Sequence, residues 1–306
     1  MKNKSEVEKT DKFSERLVAY FFLLVIKIFP ENILYFFAQT IGNMTYFSAG
    51  KRRELAIKNL TIAFKNEKSS REIKKIARQA FCEIVWSWFE TSSLAIKKGD
   101  INKKLAENIT VEGIEYLDAA LKNNKGVICV SAHFGNFMFL TLRLAGMGYP
   151  CKTIVKNRKT PFGTNFLQDL QKRIDMEWIS ARPRIQAVSK SLKCLKNNNI
   201  LFLYTDQNRK DGVCVNFFNR PAYSVRGPAM FHLRTGAEIL CAFIIRIDRN
   251  KHKIVVTPPL KFKKTGDREE DVCRVTQAYT SIIEDFVRRY PEQWWWPHKR
   301  WTKDIQ

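Results

Sequence analysis

An α/β architecture, a mostly parallel sheet covered by helices, is what the central and C-terminal parts of this 306-residue chain spell out. Beyond residue 100, short apolar runs alternate with helical stretches, the pattern left by parallel strands joined through crossover helices. Strand-like runs fall at 127–130, 153–155, 200–204, 213–218, 239–247 and 254–257, and helical stretches near 137–147, 162–173, 184–197, 226–235 and 269–290. With 45% hydrophobic residues, the chain can fill the core of one large domain or two small ones. Disorder and a small disulfide scaffold are excluded for the whole.

The chain divides at about residue 50. Residues 2–16 are charged and polar, and LVAYFFLLVIKIF follows at 17–29, stopped by Pro30. A second charge-free run covers 32–50 but is diluted by Gln39, Thr40, Gly42, Asn43 and Thr45. Neither is a clean span of about 20 apolar residues, and no small-residue cleavage site follows the first. Two readings stand: a hydrophobic helical membrane anchor over 1–50, or two buried helices of a soluble domain. Aromatic density and the Lys51, Arg52, Arg53 cluster favour the anchor, since both belong at an anionic lipid interface.

Residues 51–306 form the predicted α/β domain. Leu55, Leu60, Ala63 and Phe64 recur among cations, which predicts a basic amphipathic helix over 51–65. Ser69 and Glu72 have capping-box spacing. The helix they open carries Ile73, Ile76, Ala77, Ala80, Phe81, Ile84, Val85 and Trp88 on one face, a core stripe with no chemical role.

Lys and Arg number 53 against 30 Asp and Glu, a net charge of +23. Phosphate, anionic lipid and acidic proteins are the partners such a field attracts. Nucleic acid would answer to the charge, but no binding motif accompanies it. The seven cysteines are odd in number and show no CxxC, as expected of reduced thiols and no zinc knuckle. No Gly-rich phosphate loop, HExxH or GxSxG occurs, so the residues offer no metal, cofactor or serine-triad chemistry.

Ligands of open α/β sheets bind where strands end. GVICVSAHFGN, residues 126–136, puts His133 just past a buried strand, where an imidazole titrating near neutrality can act as general base. His232 and His252 read as core or capping histidines. Asp206, Gln207, Asn208 and Arg209 follow the 200–204 strand and lead into VCVNFFNRPAYSVRGPA. Near the end, PEQWWWPHKRW gathers four tryptophans with Lys299 and Arg300, which suits a lipid headgroup interface or a packed terminus closing the core.

In this order, HFGN, DQN, FFNRPA, RTGA at 234–237 and PEQWWWPHKRW, preceded by an NL..AF stretch at 59–64, resemble the bacterial lipid A biosynthesis acyltransferases. The resemblance implies a glycerolipid acyltransferase-like fold and a membrane-bound enzyme on the cytoplasmic side of the bacterial inner membrane. It implies transfer of a fatty acyl chain from acyl carrier protein or coenzyme A to a hydroxyl of a phosphorylated glycolipid or lysolipid. His133 is the implied base. The family's carboxylate five positions later is Met138 here, and Asp206 is the surrogate that would orient the imidazole, with Asn136 a neutral second. Gly135 and its backbone donors, Asn136, Lys156 or Arg158, Arg173, Gln207 and Arg300 are the implied substrate-binding groups. The alternative is a protein that kept the fold, lost the carboxylate and only binds lipid.

Overall fold

A computed structural model describes residues 20–65, 67–156, 173 and 177–301. Helix 20–28 (α1) leads to α2 (Glu31–Ser48), α3 (Gly50–Phe64), α4 (Ser70–Ile96) and α5 (Ile101–Asn108). Then come β1 (Ile109–Glu112), α6 (Ile114–Leu121), β2 (Val127–Ser131), α7 (Phe137–Gly146), β3 (Cys151–Val155) and β4 (Glu177–Ser180). The chain continues through α8 (Arg184–Lys196), β5 (Ile200–Tyr204), β6 (Val213–Phe217), β7 (Arg220–Ser224) and α9 (Gly227–Thr235). It closes with β8 (Glu238–Asp248), β9 (Lys251–Val256), α10 (Arg268–Arg289) and a short 3₁₀ turn at Pro291–Gln293.

Among the described residues seven strands form the main sheet in the order β1-β9-β8-β2-β5-β3-β4, every pair parallel except the β8–β9 hairpin. The mostly parallel sheet is therefore as predicted. Central β2 is buried along its whole length, as its unbroken apolar run requires of a strand covered on both faces. One apolar layer, including Phe243, Val275, Tyr279 and Phe286, fills the space under α10. Leu117, Leu140, Leu144 and Phe202 belong to the layer on the other side.

Three differences from the sequence reading have physical causes. The 213–218 run is a strand, but it pairs antiparallel with β7 in a separate two-stranded ribbon rather than joining the sheet. β1, β4 and β7 went unrecognised because each has only four or five residues and no continuous apolar run. On α4 the capping box forms, with Ser69 Oγ accepting from Glu72 N–H, but the apolar stripe does not continue to Trp88, which is 53% exposed. Trp86 and Phe89 are buried instead, because the second half of α4 turns another face to α1 and α2.

The N-terminal helices depart from the anchor expectation. Among the described residues no helix is long and apolar enough to cross a membrane. Instead α2 packs along α4 through Leu34 and Ala38, and the two backbones come close at Gly42. A Cβ there would stand 2.6 Å from Cys82 Cα. The outer face of α1 and α2 stays open, with Phe21 on α1 and Phe36, Met44 and Phe47 on α2 each more than 60% exposed. The predicted helix at 162–173 lies outside the described residues apart from helical Arg173.

Candidate active site

Register brings the central pair together. β2 and β5 are adjacent and parallel, with Ser131 opposite Tyr204, and Thr205 N–H donates to Ser131 O (3.0 Å) to extend the ladder one step. His133 and Asp206 each stand two residues past these paired ends. Strands about 4.8 Å apart therefore deliver both side chains to one point on the carboxyl edge of the sheet. Asp206 Oδ1 lies 2.8 Å from His133 Nδ1, and Oδ2 accepts from His133 N–H at 3.1 Å. A carboxylate only accepts, so Nδ1 carries a proton, and in the neutral ring Nε2 keeps its lone pair.

The rest of the carboxylate is also occupied. Trp294 Nε1–H donates to Asp206 Oδ2 (2.9 Å), and Asp206 is 2% exposed. Burial alone would raise its pKa, but the charge and hydrogen bond of His133, the charge of His298 and the Trp294 N–H hold it well below the ordinary carboxylate range. Burial likewise works against the His133 imidazolium, yet the Asp206 charge and hydrogen bond outweigh it, and the His133 pKa rises. The Phe137 and Tyr204 rings flank the imidazole at 5.1 and 5.5 Å, and Tyr204 Oη donates to Phe137 O.

The imidazole faces an open cavity of about 1260 Å³. Its apolar wall comes from Ile154, Val188, Leu192, Leu203, Met230 and Phe231, on the ends of β3 and β5 and on facing sides of α8 and α9. Seven cations also line it, Lys156, Arg182, Arg184, Arg209, Arg226, Arg234 and Arg268, among neutral polar groups such as Ser191, Gln207 and Asn208. Arg184 and Arg209 share Asp211, and Arg226 pairs with Glu269. Among the described residues Arg182, Arg234 and Arg268 make no ion pair, so their charge is available to a bound anion.

Of the candidates read from sequence, His133, Asp206, Lys156 and Gln207 meet at this cavity or, for Asp206, directly behind it. Arg158 lies outside the described residues. The other four are placed elsewhere. Gly135 has φ +53° and its N–H already donates to Gln293 O (2.8 Å), so it offers no donor to a ligand. Its task is close approach, since a Cβ would stand 2.4 Å from Ile244 O. Asn136 is buried and turned inward to Glu90 and Thr91. Arg173 binds the carbonyls of Leu94, Ala95 and Gly99 at the end of α4. Arg300 is 1% exposed, donating to Tyr223 O and Ser224 Oγ over the Phe217 ring, with burial pushing its pKa down to about 10.

The tryptophan cluster belongs to the packed terminus. Trp294 and Trp296 are buried, Phe134 and Trp294 form a β-bridge, and Trp295 N–H donates to His133 O (3.2 Å). The terminus thus backs the His133 loop. Met138 starts on the first turn of α7 but packs half-buried against the apolar layer, while Asp206 holds His133 Nδ1. His232 bonds Ala237 O and His252 is buried, as expected of structural histidines. Arg182, Arg226, Arg234 and Arg268 were missed. The signal for Arg182 was its place just past β4, itself too short to recognise, and Arg234 lay in the RTGA motif.

A histidine held by a buried carboxylate at the carboxyl edge of a parallel sheet, facing a cavity with an apolar wall and several cations, is an arrangement capable of base chemistry on a large amphiphile. The chain matches the family described as bacterial lipid A biosynthesis acyltransferase over residues 1–303, and it belongs to that family of acyltransferases. It is similar to the lipid A biosynthesis palmitoleoyltransferase of Escherichia coli K12, 26% identical over 293 residues that cover 89% of this chain and 85% of that protein. The lipid A biosynthesis acyltransferase of Shigella flexneri aligns with the same figures. A phosphatidylinositol mannoside acyltransferase of Mycobacterium tuberculosis is 24% identical over 214 residues, 67% of this chain and 64% of that protein.

Proposed function

We propose that the protein moves a fatty acyl chain from a thioester of acyl carrier protein or coenzyme A to a hydroxyl of a phosphorylated glycolipid, a lipid A precursor or a related lysolipid. The reaction takes place at the cytoplasmic face of the bacterial inner membrane. The observation that carries this reading is the His133–Asp206 pair with Nε2 free toward the cavity. His133 Nε2 takes the proton of the acceptor hydroxyl as its oxygen attacks the thioester carbonyl carbon. The tetrahedral intermediate collapses with cleavage of the C–S bond, and the thiolate recovers the proton from Nε2–H. Asp206 stabilises the transient imidazolium and fixes the ring, the part a triad acid plays. No acyl-enzyme forms.

The cavity walls sort the substrate. The apolar side between α8 and α9 takes the acyl chain, and Lys156, Arg182, Arg234 and Arg268 take the phosphates of acceptor or donor. The +23 field draws an acidic carrier protein, a phosphorylated lipid and an anionic membrane alike. The test is thiol release from acyl carrier protein and coenzyme A thioesters, with mass spectrometry of the acylated lipid. Wild type releases thiol in step with acylated product, and His133→Ala loses at least a hundredfold of that rate while remaining folded. Lipid binding by wild type without thiol release, or transfer by His133→Ala within tenfold of wild type, rules the reading out.

A further inference from the structure

The loop 133–136 is fastened from two sides, and both fastenings lead to one residue on β8. On the side-chain route, Arg246 Nη1 and Nη2 donate to the two oxygens of Glu90 (2.8 and 2.6 Å), and Nε donates to Glu83 (2.7 Å). Glu90 Oε2 also accepts from Asn136 Nδ2 (3.1 Å), while Thr91 Oγ1 donates to Asn136 Oδ1 (3.1 Å). On the backbone route, Arg246 N–H donates to Gln293 Oε1 (2.8 Å), and Gln293 Nε2 donates back to Arg246 O (3.0 Å). Gln293 O then accepts from Gly135 N–H (2.8 Å).

This network is built for holding position. The Arg246 and Glu90 side chains are each 7% exposed, so neither charge is solvated, and their two-point contact fixes angle as well as distance. Burial works against the Glu90 charge, but the charge and hydrogen bonds of Arg246, with a smaller contribution from His252 Nε2–H donating to Oε1 (3.1 Å), hold its pKa down at about 2. Replacing such a buried cluster by apolar side chains of similar volume is often neutral or stabilising. A network that satisfies both Glu90 oxygens and ends on Gly135 and Asn136, the second and third residues after the candidate base, is therefore explained better by placement than by stability.

The geometry points to Arg246, acting through Glu90 and Asn136 on one side and Gln293 and Gly135 on the other, as a positioning residue for His133. The inference rests on the acyltransferase reading for its kinetic arm alone. Neither Arg246 nor Glu90 lines the cavity, so substrate does not touch them. What they set is the direction of Nε2 and the fit of Nδ1 on Asp206.

Asn136→Ala is the sharpest variant, because it cuts the loop from Glu90 and leaves the Arg246, Glu83 and Glu90 cluster whole. Arg246→Lys is its companion, keeping one charge but losing the fork. Each is measured for kcat and KM with an acyl thioester, for the titration of the His133 ring by NMR, and for melting temperature. The expected result for Asn136→Ala is kcat down ten- to hundredfold, KM within threefold, and His133 titrating at lower pH as its hold on Asp206 loosens. Arg246→Lys moves the same observables in the same direction, and the effects of the pair are less than multiplicative because they share one route. An unchanged kcat and unchanged His133 titration in folded Asn136→Ala overturn the inference, as does a rise in KM with kcat preserved, which would make Asn136 a substrate contact. If the His133 titration shifts while even wild type shows no transfer, the positioning stands and the acyltransferase reading fails.

Discussion

In the proposed mechanism Asp206 is the residue on which the chemistry turns, since its carboxylate meets His133 Nδ1 and raises the basicity of the ring. Asp206→Asn keeps size and one acceptor but removes the charge that holds the imidazolium. Asp206 raises the His133 pKa against the opposing effect of burial, so in the variant burial acts alone and the pKa falls. The acid limb of the kcat/KM profile therefore moves to lower pH, and the plateau drops by at least a hundredfold as ring orientation is lost. A pH series from 5 to 9 on both proteins checks the pair of effects, and a plateau loss below fivefold refutes the assignment. His133 and Asp206 were legible in the sequence because each follows a short apolar strand directly. Gly135, Asn136, Arg173 and Arg300 were misread, because a one-dimensional motif does not reveal which side of a loop a side chain leaves. All four turned out to hold the scaffold around the site.

Short elements show where local pattern is enough and where it fails. β2, β5 and β8 could be read because strands buried on both faces are continuous apolar runs. The β6–β7 ribbon could not be separated from the sheet, since whether a strand joins its neighbours is settled by long-range pairing. Helix α7 carries the sharpest element-scale test, because Met138 stands where the sequence resemblance implies a carboxylate. Glu at 138 gains from the positive end of the helix, a favourable effect of up to about 1 kcal/mol. It loses more, because the side chain packs against an apolar layer that offers no partner, and unpaired burial costs a carboxylate several kcal/mol or forces it to take up a proton. Asp206 already fills the role at His133 Nδ1. Met138→Glu is thus expected to lower the melting temperature by several degrees and to leave turnover unimproved. Higher turnover at unchanged stability would mean that His133 lacks an adequate orienting acid.

At the scale of the whole molecule, charge and exposed apolar surface together are expected to bring the cavity to its lipids. The first 50 residues were read as an anchor because of their aromatic density, and the density is real, but it is divided between two faces. Ile26, Leu34 and Ala38 pack on α4, while Tyr20, Phe21, Leu24 and Ile28 on α1 and Phe36, Met44 and Phe47 on α2 stay exposed. Apolar side chains on the open face of a helix pair, beside cations, suit a helix lying in the plane of a membrane surface. Arg53 and Arg78 stand over the Tyr46 and Phe47 rings at 5.8 Å, placing positive charge at the headgroup level of such an arrangement. The intact chain is accordingly expected to bind phosphatidylglycerol-containing vesicles more tightly than neutral ones, and to lose part of that affinity at high salt, where a Debye length of about 3 Å at 1 M screens the attraction. The residual, salt-resistant part comes from apolar contact. Each of Phe36 and Phe47 contributes on the order of 1 to 2 kcal/mol if it enters the acyl boundary, so Phe36→Glu with Phe47→Glu should weaken vesicle binding at least tenfold. The same double variant should retain turnover of a thioester with a detergent-dispersed acceptor, because neither residue lines the cavity. Vesicle affinity unchanged in the double variant would show that this face does not rest on the lipid, and that another surface of the molecule brings the cavity to the membrane.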